Sequence, residues 1–157
     1  DDGRILMVEI MDNNIKTLLI AIYAPNDNQE DFYRKLHMQI IKLDYANICM
    51  MEDLNGGVDE KLDHKSQKTT KRTRKILPKS FFRMIEEINL KDMWRETNME
   101  KKQYTFYSSR HALWSRIDMI WMSTESFSSI QNIEIGMVLN PIMVVWKGQK
   151  KKKTELD

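Results

Sequence analysis

Two aliphatic runs near the start of the chain, RILMVEI at 4–10 and IKTLLIAIY at 15–23, are separated only by Met11-Asp12-Asn13-Asn14. Runs this rich in aliphatic and β-branched residues favour strands, and the polar break between them has room for a turn and nothing longer. The two strands must therefore pair as an antiparallel hairpin, which excludes a purely parallel sheet whatever follows. Pro25 and Asn26 end the second run. Phe32, Leu36, Ile40 and Leu43 then recur at helical spacing, which predicts a helix over 29–43 with Asn28 or Asp27 as its N-cap.

The short apolar run at 46–51 leads into Glu52-Asp53-Leu54-Asn55-Gly56-Gly57 and reads as a buried strand that delivers Asp53 and Asn55 at its C-terminal end. Residues 58–76 are polar and basic without periodicity, and read as a long surface loop. Pro78 opens a second helix whose inward face is Phe81, Phe82, Ile85 and Ile88. A connector at 90–94, strands at 104–107 and 117–122, a brief helix at 125–130 and two last strands at 133–135 and 142–146 complete the order. Strands outnumber helices, so the expected class is α+β, a two-sheet β-sandwich with flanking helices.

The 157 residues suit one domain, read as 1–147, with a lysine-rich tail at 148–157. A hydrophobic share of 41% against 31% charged excludes a disordered chain, and no apolar stretch approaches the roughly 20 residues of a membrane helix. The opening residues lack the order of a signal peptide, and the lone Cys49 lies in an apolar run, where it reads as a small hydrophobe. A reducing, nuclear or cytoplasmic location is expected. The net charge of +2 is too small to imply a nucleic-acid partner, but it is unevenly spread: residues 65–79 hold seven Lys or Arg and no acid.

Three segments, IYAPN at 22–26, MEDLN at 51–55 and SRIDMIWM at 115–122, together resemble the endonuclease/exonuclease/phosphatase superfamily, and specifically the endonuclease domain of vertebrate long interspersed (non-LTR) retrotransposons. Their order and separation look like the C-terminal two thirds of that DNase I-like domain. The resemblance implies magnesium-assisted hydrolysis of a DNA phosphodiester by in-line attack of water, with hard oxygen ligands around the cation. It implies that Asp53 orients or deprotonates the water, that Asn55 contacts the phosphate, that Tyr23 places its hydroxyl there too, and that Asp118 orients a catalytic histidine. No small-molecule cofactor and no membrane are implied, and a reverse transcriptase domain would follow in the parent element.

Each residue has a plainer reading. Asp53 and Asn55 are also turn formers before two glycines, Tyr23 is also a sheet-edge aromatic, and Asp118 within an apolar run needs a partner, either Arg116 or a backbone donor. His37, His64 and His111 follow no metal-ligand spacing and read as solvated or half-buried structural residues.

The sequence also departs from the family pattern. Its closing Ser-Asp-His-Ala-Pro is replaced, counting back from Pro141, by Val138 in the Asp place and Leu139 in the His place. Glu52 stands where the family has Gly, setting a carboxylate beside Asp53. No counterpart of the family's N-terminal third, with its metal-binding Glu, is seen. The expectation is a degenerate copy without meaningful nuclease activity, marginally stable or prone to aggregate because half a sandwich exposes a core face, with exposed edge strands near residues 4–10. The competing readings are a non-cleaving nucleic-acid binder, in which Lys68, Lys71, Arg72, Arg74 and Lys75 contact phosphates, and a translated relic without a selected function.

Overall fold

β1 (Ile5–Asp12) and β2 (Ile15–Tyr23) form the expected hairpin, paired antiparallel from Ile5↔Ile22 to Asp12↔Ile15. The chain turns at Asn14, whose φ of 62° is a left-handed conformation that Asn tolerates better than most residues. The computed structural model describes residues 3–12, 14–66, 75–127, 133–136 and 143–146.

β3 (Asn47–Asp53) runs parallel to β2, from Thr17↔Asn47 to Tyr23↔Asp53. A parallel neighbour needs a long crossover, and α1 (Gln29–Leu43) supplies it over the residues its periodicity predicts. The cap differs from expectation. Asn28 holds the N-cap position in a left-handed conformation and makes no side-chain cap bond; Glu30 and Asp31 in the first turn complement the helix dipole instead. Gln29 ties the helix start down by donating to the Pro25 and Leu54 carbonyls at 2.9 and 2.8 Å.

The expected loop at 58–76 is partly built structure. β4 (His64–Ser66) pairs with a later strand, Gly57 bridges to Ile76, and Asp63 and His64 are buried. Residues 67–74 lie outside the described residues. α2 (Lys79–Glu87) follows Pro78 as predicted, but its inward face is Phe81, Met84 and Ile85. Phe82 is 38% exposed because one step of about 100° carries it off the stripe that Met84, three residues after Phe81, completes.

The rest of the order is β5 (Leu90–Asp92), where a connector was expected, then α3 (Met93–Thr97), β6 (Phe106–Ser108), β7 (Leu113–Ser115), β8 (Asp118–Ser123), α4 (Thr124–Phe127), β9 (Ile133–Gly136) and β10 (Met143–Trp146). Asp92 caps α3, accepting the Arg95 N–H at 3.1 Å. The strands form a five-stranded mixed sheet in the order β1-β2-β3-β8-β5, a three-stranded sheet β4-β7-β6 and a pair β10-β9. The α+β class with stacked sheets and outer helices is the one expected.

One face of the large sheet carries Leu18, Ile20, Ile22, Ile48, Met50 and Trp121 against Tyr33, Leu36 and Ile40 of α1 and Phe81 and Met84 of α2. Edge-on ring contacts at 5.0 Å (Tyr33–Phe81) and 5.3 Å (Phe81–Trp121) knit this layer. On the opposite face, Ile120 and Met122 pack with Met93, Trp94, Ile133 and Ile135, and Cys49 joins them; burial pushes its thiol up to about 11, so it behaves as a hydrophobe. Farther along that face Leu6, Val8, Ile10 and Met51 are between 37% and 63% exposed. No helix among the described residues is long and apolar enough to cross a membrane.

An apolar sheet face beside the edge strand β1 should promote self-association. Changing Val8 and Ile10 to Lys is expected to move sedimentation velocity profiles toward the monomer while leaving the melting temperature within a few degrees. An unmodified chain that is monomeric at every concentration would contradict this.

Candidate active site

Because β2 and β3 are parallel, their C-terminal ends finish side by side; because β8 is antiparallel to β3, its first residue meets that same end. The registers Tyr23↔Asp53 and Asp53↔Asp118 therefore set three residues, remote in sequence, in one row across three strands. Neighbouring strands lie about 5 Å apart and registered partners point to the same face. The ladder continues past the row through Ala24 N–H to Asp53 O and Leu54 N–H to Ile117 O, both 2.8 Å.

Burial raises the Asp53 carboxyl above the usual range, and the Asn55 N–H at 3.1 Å opposes that rise in part. Asp118 is raised for the same first reason and by the charge of Asp53, against a hydrogen bond from Thr105. Among the described residues neither acid has an ion-pair partner. Two adjacent carboxylates raised by burial and, at Asp118, by mutual repulsion are a place where a cation would relieve charge. Asn55, at φ 49°, swings back so that one of its amide N–H groups donates to the Ala24 carbonyl at 2.6 Å. A phosphate contact through that group would have to replace this bond. Tyr23 is 52% exposed at the C-terminal end of β2, an interior strand of the sheet, with the Arg4 guanidinium 5.4 Å from its ring centre.

Arg116 is not the partner of Asp118. It is 1% exposed, donates from Nε to Asp63 at 2.8 Å and from Nη2 to Asp92 at 2.6 Å, and lies over Trp94. Two buried carboxylates demand a cation more strongly than the partly exposed Asp118 does. Thr105 serves Asp118 instead, its hydroxyl oxygen also accepting the Ile117 and Asp118 N–H groups at 3.0 and 3.1 Å. Asp63 further accepts from Arg95 and from the Val58 and Asp59 amides at 2.8–2.9 Å. This clamp fastens the segment after Asn55 to the segment that enters β8, and so holds the two ends of the acid row in place.

Glu52 does not crowd Asp53. Strand alternation turns it to the helix-covered face, between Ile22 and Met119 in register, where it is 5% exposed and neither oxygen has a hydrogen-bond partner among the described residues. Burial, then the charge of Asp92, holds its carboxyl well above the usual range.

Of the histidines, His64 is buried rather than half-solvated, its Nδ1 2.9 Å from the Ser115 hydroxyl, and it obliges Gly57 to lack a side chain, since a Cβ there would lie 2.5 Å from its Nε2. His37 faces Glu87 at 3.4 Å, and His111 is exposed. No group of three or more His, Cys, Asp or Glu residues suited to a metal occurs among the described residues. Asp53 and Asp118 are nonetheless donors of the right kind for magnesium, which keeps several waters and needs only one or two carboxylates. Lys75 donates to the Asn26 carbonyl, and burial lowers its pKa. Lys68, Lys71, Arg72, Arg74, Val138 and Leu139 lie outside the described residues.

The fold recurs in solved structures. The AP endonuclease LMAP from Leishmania major matches with a TM-score of 0.69 at 15% identity, over 85% of this chain and 50% of that one. The endonuclease domain of TRAS1, a telomere-specific non-LTR retrotransposon, matches with a TM-score of 0.61 at 14% identity, over 84% of this chain and 56% of that one. This is the endonuclease/exonuclease/phosphatase fold. In sequence, this chain is 29% identical over 141 residues to the 149 kDa protein of transposon TX1 from Xenopus laevis, covering 86% of this chain and 10% of that protein. The resemblance to retrotransposon endonucleases that three short segments carried is thus borne out. No family model matches the sequence. The chain spans about half of the two solved structures and a tenth of the frog protein.

Proposed function

We propose that the chain is a retrotransposon-derived, magnesium-dependent DNA endonuclease domain in a catalytically silent copy. The observation that carries this reading is the row Tyr23–Asp53–Asp118 at one end of the large sheet. Asp53, its carboxyl raised by burial, would orient the attacking water, and Asn55 and Tyr23 flank the space where a phosphate would sit. Asp53 and Asp118 would hold the cation, whose chemistry when bound is to neutralise charge growing on the phosphoryl oxygens. Silence follows from Leu139, which has no proton to give where the resembled family has its histidine, so Asp118 has nothing to orient. Residues 1–147 form the domain and 148–157 a lysine-rich tail; the parent element carries a reverse transcriptase downstream, and the location is nuclear or cytoplasmic. A non-cleaving nucleic-acid binder is the second reading, favoured by the basic run at 65–79.

The test pairs two readouts on the unmodified chain and Asp53→Ala. Supercoiled plasmid with magnesium should stay un-nicked in both, and Mn²⁺ should broaden the amide NMR signals of Asp53, Asn55 and Asp118 only in the former. Nicking that disappears with Asp53→Ala would overturn the silence; absence of any Mn²⁺ effect on the row would overturn the site.

A further inference from the structure

Away from the acid row, Lys61, Lys65 and Lys102 converge on a cleft of about 530 Å³ whose other walls are His64, Ser66 and Tyr104. Among the described residues no acid lines it and none of the three ammonium groups has a carboxylate partner. The walls are firmly held. Asp63, next to His64, is fully buried in the Arg116 clamp, His64 meets Ser115 at 2.9 Å, and the Thr105 N–H donates to Ser115 O at 3.0 Å. Such walls fix where the lysine stems start, so the positive charge is gathered without being neutralised.

The position matters as much as the charge. Tyr104 immediately precedes Thr105, which hydrogen-bonds Asp118, so the cleft adjoins the acid row through one residue of backbone. Lysine ammonium groups are compact, strongly hydrated point charges that suit phosphates arrayed along a strand. The lining also lacks the aliphatic wall that an acidic peptide's side chains would use.

We propose that Lys61, Lys65 and Lys102 bind backbone phosphates of a DNA strand that runs on from the acid row. The proposal rests on the endonuclease-like reading of that row and adds to it a phosphate-binding cleft outside the expected basic loop.

Fluorescence anisotropy with a labelled 20-base-pair DNA duplex, titrated with salt, tests it on the whole chain. The Lys61→Gln, Lys65→Gln, Lys102→Gln triple variant should bind about tenfold more weakly at 0.1 M salt, with a log–log salt slope shallower by about 2 to 3. A charge-matched control, Lys35→Gln, Lys42→Gln, Lys91→Gln, on exposed positions of α1 and β5, should lose less than twofold. Equal melting temperatures exclude misfolding, and a Lys→Arg triple should bind like the unmodified chain. Equal losses in both Gln triples, no loss in the cleft triple, no salt-dependent binding by the unmodified chain, or an equal cleft-dependent loss toward polyglutamate would each overturn the cleft assignment. Failure of the acid-row reading shows separately, as an absent Mn²⁺ effect with the cleft dependence intact.

Discussion

Replacing Arg116 with Met should destabilise the chain by about 3–5 kcal/mol at neutral pH, a large part of the roughly 5–15 kcal/mol that a domain has in total. The guanidinium is the shared cation of Asp63, which is fully buried, and Asp92, which is nearly so; the variant leaves Asp63 with Arg95 alone and Asp92 without an ion-pair partner among the described residues. In the native chain, burial alone would raise Asp63, but the charge and hydrogen bonds of Arg116, with the Asp59 and Val58 amides, hold it below the usual carboxylate range. A depressed carboxyl contributes stability that is present above its unfolded value of about 4 and is lost as pH falls through its folded one. In the variant Asp63 keeps Arg95 and the two amides but loses Arg116, so that contribution shrinks. The deficit should therefore be larger at pH 7 than at pH 3, below the unfolded carboxylate value. Urea unfolding at the two pH values checks this, and a loss under 1 kcal/mol, or one that ignores pH, would count against the clamp. Arg116→Lys should not rescue it, since one ammonium cannot reproduce a fork that reaches two separate carboxylates.

Changing Glu52 to Leu should act in the opposite direction, stabilising the chain by about 2 kcal/mol at pH 7. Its carboxyl lies on the packed face with neither oxygen hydrogen-bonded among the described residues, and Asp92 adds like charge. The folded pKa is raised above the unfolded value of about 4.3. Folding therefore takes up a proton between the two values: the penalty is absent below pH 4, grows as pH rises, and levels off once the folded value is passed. Glu52→Leu removes that slope, and its registered neighbours Ile22 and Met119 offer an apolar surround. For a chain of this size the gain corresponds to about 4–8 °C in melting temperature. Thermal melts from pH 4 to 8 decide it: a variant that melts lower, or that keeps the native pH slope, would refute the account. Glu52→Gln should gain less, because it removes the charge and keeps unsatisfied polar atoms.

These two residues also mark where reading along the chain stops being informative. Glu52 was expected to trouble Asp53, its neighbour in sequence; strand alternation instead sends it to Asp92 on the other face. Arg116 was one of two suggested partners for Asp118, two positions away, and spends its charge on Asp63 and Asp92. The three-residue strands β4, β5 and β7 were read as loop or connector or passed over, because a strand that short exists only when a neighbour is already there to pair with. Thr105 gave no signal at all, since its role depends on where the β8 entry comes to lie.

What the sequence determined by itself is local: the opening hairpin, the bounds of α1, the strand that ends in Asp53, and the three segments that carried the resemblance to a nuclease fold. Those follow from periodicity and turn chemistry, which act between residues a few positions apart. Only the tertiary structure decided which acids meet, which are buried and which cation serves them. Charge and burial act through space across strands distant in the chain, and no pattern of period 2 or 3.6 records them.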